Sequence, residues 1–73
     1  MQKHLDSYIA GEFEGWDGDA LYELDDGTRW ELVEHRYLYS YRYRPHAIIW
    51  RDGVRYYLEV EGMPDRPEVR EIP

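Results

Sequence analysis

The sequence predicts an all-β domain, on three observations. Around glycines at positions 11, 15, 18, 27, 53 and 62 the chain is rich in Tyr, Trp, Val and Ile, residues that fit a pleated strand better than a helix. Asp-Gly pairs at 26–27 and 52–53 each lie between apolar residues that alternate with polar ones, the short-range signature of a hairpin. Helix signals are confined to the first eight residues, which have room for one short turn.

A first strand is expected around Tyr8 to Phe13. The hairpin that follows, in ALYELDDGTRWELV, admits two registers. A two-residue Asp26-Gly27 turn would oppose Glu23 to Trp30 and Tyr22 to Glu31, mixing polar and apolar side chains on both faces. A three-residue loop, Asp25-Asp26-Gly27, with Gly27 in the left-handed bulge position, opposes Tyr22 to Trp30, Glu23 to Arg29 and Ala20 to Leu32. It gathers Ala20, Tyr22, Leu24, Trp30 and Leu32 on one face, and is preferred. Next comes a tyrosine-rich strand from His35 to Arg44, stopped by Pro45.

In the second hairpin a two-residue Asp52-Gly53 turn of type I′ opposes Arg51 to Val54, Trp50 to Arg55 and Ile49 to Tyr56. Its apolar face is Ala47, Ile49, Val54, Tyr56, Leu58 and Val60, and Arg55 is placed to cover the Trp50 ring. Pro64 and Pro67 bracket a tight turn or one 3₁₀ turn before a last strand at Glu68 to Ile72. Five to six short antiparallel strands in a single domain, residues 1–73, must curl to bury their apolar faces. The expected form is a small SH3-like barrel, with an OB-like barrel as the alternative; the short chain and the lack of a helix between strands favour the first.

A chain of this size buries only ~60% of its unfolded surface. Without cysteine it has neither a disulfide staple nor a thiolate metal site, so the 12 aromatic residues and the scattered Leu, Ile and Val must make the core. The net charge of −7 is uneven: residues 1–35 carry −8, residues 36–55 carry +4 and residues 56–73 carry −3. The acidic total disfavours general affinity for nucleic acid. The basic island either forms a local binding stripe or pairs with acidic neighbours inside the sheet, and pairing is the more general outcome. The longest unbroken apolar run is Ala47-Ile48-Ile49-Trp50, and the amino terminus has no apolar segment of signal-peptide length. Neither a signal peptide nor a membrane span is expected, and a cytoplasmic location is.

Catalysis has little to stand on, and no enzyme, metal or cofactor is expected. His4, His35 and His46 are separated by 31 and 11 residues, which matches no compact zinc spacing. Ser7 and Ser40 lie in no nucleophile elbow. Glu12, Glu14, Asp17 and Asp19 form an acidic cluster, but Leu21 stands where an EF-hand loop needs a ligand, so only weak, adventitious cation binding is expected there.

The run YLYSYRYR, residues 37–44, sets a tyrosine at every second position. Its other side is Leu38, Ser40, Arg42 and Arg44, so binary pattern assigns the tyrosines to the buried face and the arginines to water. At about 3.3 Å per residue the tyrosines run ~20 Å, longer than the interior of a small barrel. Tyr37 and Tyr39 are therefore expected to be structural, and Tyr41 and Tyr43 to emerge at a wet rim. Tyr41, Tyr43, Arg42, Arg44, Trp50 and Arg55 form the candidate ligand or partner surface of a non-enzymatic interaction module. The expected partner is a protein or peptide, or a second copy of this chain through the aromatic surface or a strand edge; weak single-stranded nucleic-acid binding is a more distant alternative.

Two resemblances bear on this. Ala20-Leu21-Tyr22-Glu23-Leu24 is similar to the ALYDY segment of proline-binding SH3 domains, but the late turn Met63-Pro64-Asp65-Arg66-Pro67 has no tyrosine to complete a polyproline groove. With the segment from Gly11 to Gly18 (GEFEGWDG), Leu24, Gly27 and Trp30, the tyrosines 37, 39, 41 and 43 before Pro45, and Val60-Glu61-Gly62 before Val69, the chain resembles a family of small, uncharacterised bacterial proteins. That resemblance implies a small bacterial β domain and carries over no activity, cofactor or catalytic residue. The compact Asp52-Gly53 turn and the Glu71-Ile72 ending depart from it.

Overall fold

The computed structural model describes residues 1–73 and contains eight strands and no helix. They are β1 (Gln2–Tyr8), β2 (Glu12–Trp16), β3 (Leu21–Glu23), β4 (Arg29–Leu32), β5 (Leu38–Tyr43), β6 (His46–Asp52), β7 (Arg55–Val60) and β8 (Glu68–Ile72). Six form one antiparallel sheet in the order β1-β6-β7-β8-β4-β3, and β2 pairs with β5 in a separate two-stranded ribbon. The all-β antiparallel expectation holds, with eight strands where five to six were expected. Within the first eight residues Gln2–Tyr8 form strand β1 rather than a helical turn, and the strand expected around Tyr8 to Phe13 is split, with Tyr8 ending β1, Glu12 and Phe13 opening β2 and residues 9–11 between them.

The six-stranded sheet curls until its outer strands touch. An isolated bridge joins Ile9 to Leu24, where the Ala10 N–H donates to the Glu23 carbonyl and the Asp25 N–H to the Tyr8 carbonyl, each at 2.9 Å. No ladder extends from that bridge along β1 and β3, so the curl is not completed as a closed barrel.

The first hairpin adopts the preferred register, with Tyr22 opposite Trp30 and Glu23 opposite Arg29. Gly27, at φ 90°, takes the left-handed position that the three-residue loop requires, and the Leu24 N–H donates to the Thr28 carbonyl at 2.9 Å. In the second hairpin the expected faces are right and the register is displaced. Asp52 pairs with Arg55, Trp50 with Tyr57 and Ile49 with Leu58. Gly53, at φ 64°, sits first in the two-residue Gly53-Val54 loop, and Val54 has no positive φ, which makes the turn type II′ rather than I′. A slip of two residues preserves faces because side chains alternate with period two. Ala47, Ile49, Leu58 and Val60 are therefore buried as expected, while Val54 moves into the turn and is 89% exposed.

The core is twelve hydrophobic residues with no buried polar side chain among them. Trp30 and Leu32, Ala47 and Ile49, Leu58 and Val60, and Val69 line the inner face of the sheet, and Phe13 and Trp16 reach into it from the ribbon. The Phe13, Trp16 and Tyr22 rings stack at 5.5–5.8 Å, two of the three pairs edge-to-face. The Tyr22 hydroxyl fastens this joint: it donates to the Gly15 carbonyl and accepts from the Asp17 N–H, both at 2.9 Å. Burial raises the Tyr22 pKa above its ordinary 10.0.

Candidate functional site

The tyrosine strand faces the opposite way from the binary-pattern expectation. Tyr37, Tyr39, Tyr41 and Tyr43 are 66%, 72%, 51% and 68% exposed, so Tyr37 and Tyr39 are surface residues and not core. The cause is the register of the ribbon. Phe13 stands opposite Arg42 and Trp16 opposite Leu38, so two side chains committed to the core carry their even-numbered partners inward with them. The odd-numbered tyrosines must then point out. Arg42 tolerates the inner side by laying its guanidinium on Gly62, donating to that residue's carbonyl at 3.4 Å, while its Nε is buried without a partner.

Gly15 makes the ribbon possible. It sits at φ 96° opposite Tyr39, and a Cβ there would lie 2.0 Å from the Leu38 carbonyl oxygen. A bulge between Phe13 and Gly15 lets the strand reach both Phe13 and Trp16 inward in spite of their odd spacing.

Tyr37 and Tyr39, at one end of the tyrosine row, border a groove of about 650 Å³ that lies between β2 and β3. The Ile9–Leu24 bridge closes one end of the groove, just before β2 and just after β3, and the Tyr22 hydroxyl on Gly15 and Asp17 closes the other. Phe13, Trp16 and Tyr22 form its apolar wall with Tyr37, Leu38 and Tyr39 beside them, and its acidic residues are Glu12, Glu14, Asp17 and Glu23. Tyr41 donates from its hydroxyl to Glu12 at 3.2 Å, and desolvation, then the Glu12 carboxylate, raises its pKa above the ordinary 10.0.

The other residues expected in the site are dispersed. Arg44, in the left-handed region at φ 50°, is paired with Asp25. Trp50 lies on the outer face of the six-stranded sheet, donates to Glu59 at 2.8 Å and is covered by Arg66, whose Cζ is 4.9 Å from the ring centroid, rather than by Arg55. Arg55 is exposed at the Gly53-Val54 hairpin and has no ion-pair partner. No hydrogen bond, ion pair or ring contact connects Trp50 or Arg55 to the tyrosine row. The basic island is partly neutralised, Arg36 by Glu34 and Asp65 and Arg44 by Asp25, across loops rather than between neighbouring strands.

Sequence reasoning brought Tyr41 and Tyr43 to the surface and singled out Glu12, Glu14 and Asp17 as a cluster, and missed Tyr37, Tyr39 and the addition of Glu23 to the acidic border. The information lies in Phe13 and Trp16 on either side of Gly15: both are buried and pair with Arg42 and Leu38, on the side of β5 that carries no tyrosine, which leaves the tyrosines on the other side. Compared with protein-family models, with curated proteins and with solved structures, the chain finds no match.

Proposed function

We propose that this chain is a cytoplasmic, non-enzymatic interaction module whose contact surface is the outer face of the β2–β5 ribbon. The observation that carries the reading is the row of four tyrosines, each more than half exposed: Tyr39, Tyr41 and Tyr43 on β5 and Tyr37 just before it. A tyrosine offers a flat apolar face and a hydroxyl with few rotatable bonds, so it contributes contact area at low entropic cost. A contiguous exposed apolar patch marks an interaction site where singly scattered surface aromatics do not. The carboxylates of Glu12 and Glu14 on the adjacent strand oppose a nucleic-acid ligand, because phosphates would be repelled where the bases would stack.

The test is selection from a displayed library of short peptides, panned against the protein and against a Tyr39→Ala/Tyr41→Ala double variant. Enrichment that the double variant loses is expected. No enrichment, or enrichment that survives the loss of both rings, overturns the reading. A second reading, self-association, is favoured by β5, which pairs with β2 alone and leaves its other edge free. Sedimentation that finds only monomer at high micromolar concentration removes it.

A further inference from the structure

We infer that the partner of this face is a cationic polypeptide segment whose lysine or arginine side chains enter the groove between β2 and β3. The inference rests on the interaction-module reading and adds the chemistry of the partner. At about 650 Å³ the groove holds more than one long side chain with its flanking backbone.

Its charge chooses the occupant. Glu12, Glu14, Asp17 and Glu23 line the groove, and no lysine, arginine or histidine does. None of these four carboxylates takes part in any of the seven ion pairs of the molecule, whose cationic partners, Lys3, Arg36, Arg44, His46, Arg66 and Arg70, are engaged elsewhere. The groove thus concentrates uncompensated negative charge, which an incoming cation relieves. The carboxylates do not converge in a group of three that could hold a metal ion, so the spread suits a flexible chain bearing several cations better than a single point charge.

Aromatic rings point the same way. Tyr37 and Tyr39 present exposed rings at the groove beside the carboxylates, an arrangement that receives a guanidinium or ammonium by its flat face and its charge together. A further observation is independent of charge. Trp16, in the apolar wall, is 2% exposed and its Nε1–H has no acceptor, whereas the indole N–H of Trp30 donates to Thr28 and that of Trp50 to Glu59. Trp16 lines the groove, so its shielded indole N–H, without an acceptor in the free protein, reports a rearrangement of the wall on binding.

The experiment is an NMR titration of ¹⁵N-labelled protein with capped triarginine, trilysine and triglutamate peptides. The cationic peptides are expected to shift the Trp16 indole resonance and the amides of Gly15 and Tyr39, and triglutamate is not. A Glu14→Gln/Glu23→Gln double variant, both sites exposed, should keep its fold and bind the cationic peptides about fivefold or more weakly. Raising salt from about 50 mM to about 500 mM should weaken binding in the parent protein. Shifts spread equally to the amides of Glu68 and Glu71 on β8, no shift at the Trp16 indole, or equal affinity in the double variant overturns the inference. If library selection instead yields tyrosine-dependent peptides without lysine or arginine, the interaction module stands and the cationic partner falls.

Discussion

The six-stranded sheet and the β2–β5 ribbon bury their strands in different ways. In the sheet, alternate side chains from neighbouring strands meet face to face: Trp30 and Tyr22, Ile49 and Leu58, Ala47 and Val60 are opposed pairs with both members buried. In the ribbon only β2 supplies core residues. Its partner β5 half-buries Ser40 and Arg42, leaves Leu38 44% exposed, and gives its tyrosine side chains to solvent. The sheet thus draws its core from both members of each pair, whereas the ribbon draws it from β2 and leaves its tyrosines on the surface.

The largest effect should follow from breaking the sheet. Trp30 is completely buried, and Trp30→Ala is expected to cost about 3–5 kcal/mol, a large share of the roughly 5–15 kcal/mol that holds a small domain together. Urea denaturation followed by circular dichroism should show the midpoint collapse, and a shift of less than about 1 kcal/mol would mean that Trp30 is not central to the core. Breaking the joint between sheet and ribbon comes next. Gly15→Ala forces a Cβ to within 2.0 Å of the Leu38 carbonyl at φ 96°, and should cost about 2–4 kcal/mol while disturbing the amides of β2 and β5 first. Gly27→Ala is its control: φ is 90° there too, but no atom lies within 4 Å of the added methyl, and about 1 kcal/mol is expected.

What could be read in the residues follows the same division. The first hairpin was legible to the residue because only one register puts Tyr22, Leu24, Trp30 and Leu32 on a common face. The second was legible in its faces but not its register, because a two-residue slip leaves every side chain on the side it began, and Asp-Gly fits two turns equally well. The orientation of β5 was not legible from β5. Its binary pattern favours tyrosine inward, and the deciding information is non-local: Phe13 and Trp16 on another strand, a bulge between them, and a glycine through which β5 approaches. The acidic side of the site was visible as a cluster in Glu12, Glu14 and Asp17, but Glu23 joins it only through the Ile9–Leu24 bridge that brings β3 beside the start of β2.

A smaller effect sharpens the contrast by its smallness. Tyr39→Ala should change stability by no more than about 0.5 kcal/mol, as expected for a side chain that is 72% exposed. A loss of about 3 kcal/mol or more in urea denaturation would restore the reading of the tyrosines as core.

Proton titration separates the two regions most finely, because one exposed contact in each shifts a pKa in opposite directions. In the sheet, hydrogen bonds from His46 and Lys3 hold Asp6 on β1 below its ordinary 3.8. A carboxyl lowered on folding contributes stability that is present above the unfolded pKa and is lost as pH falls through the folded one, so this contact weakens on the acid side of 3.8. In the ribbon, Tyr41 is raised above 10.0, first by desolvation and then by Glu12. A phenol raised on folding gives the converse: its contribution is complete below 10.0 and is lost as pH rises through the folded pKa. His46→Ala should therefore move Asp6 upward and leave the phenols alone. Glu12→Gln should move Tyr41 downward and leave Asp6 and the buried Tyr22 alone. Carboxyl and tyrosine titrations by NMR check both, and a Tyr41 pKa in the parent protein that is not above 10.0 would show that β2 and β5 do not hold the Tyr41–Glu12 contact in solution.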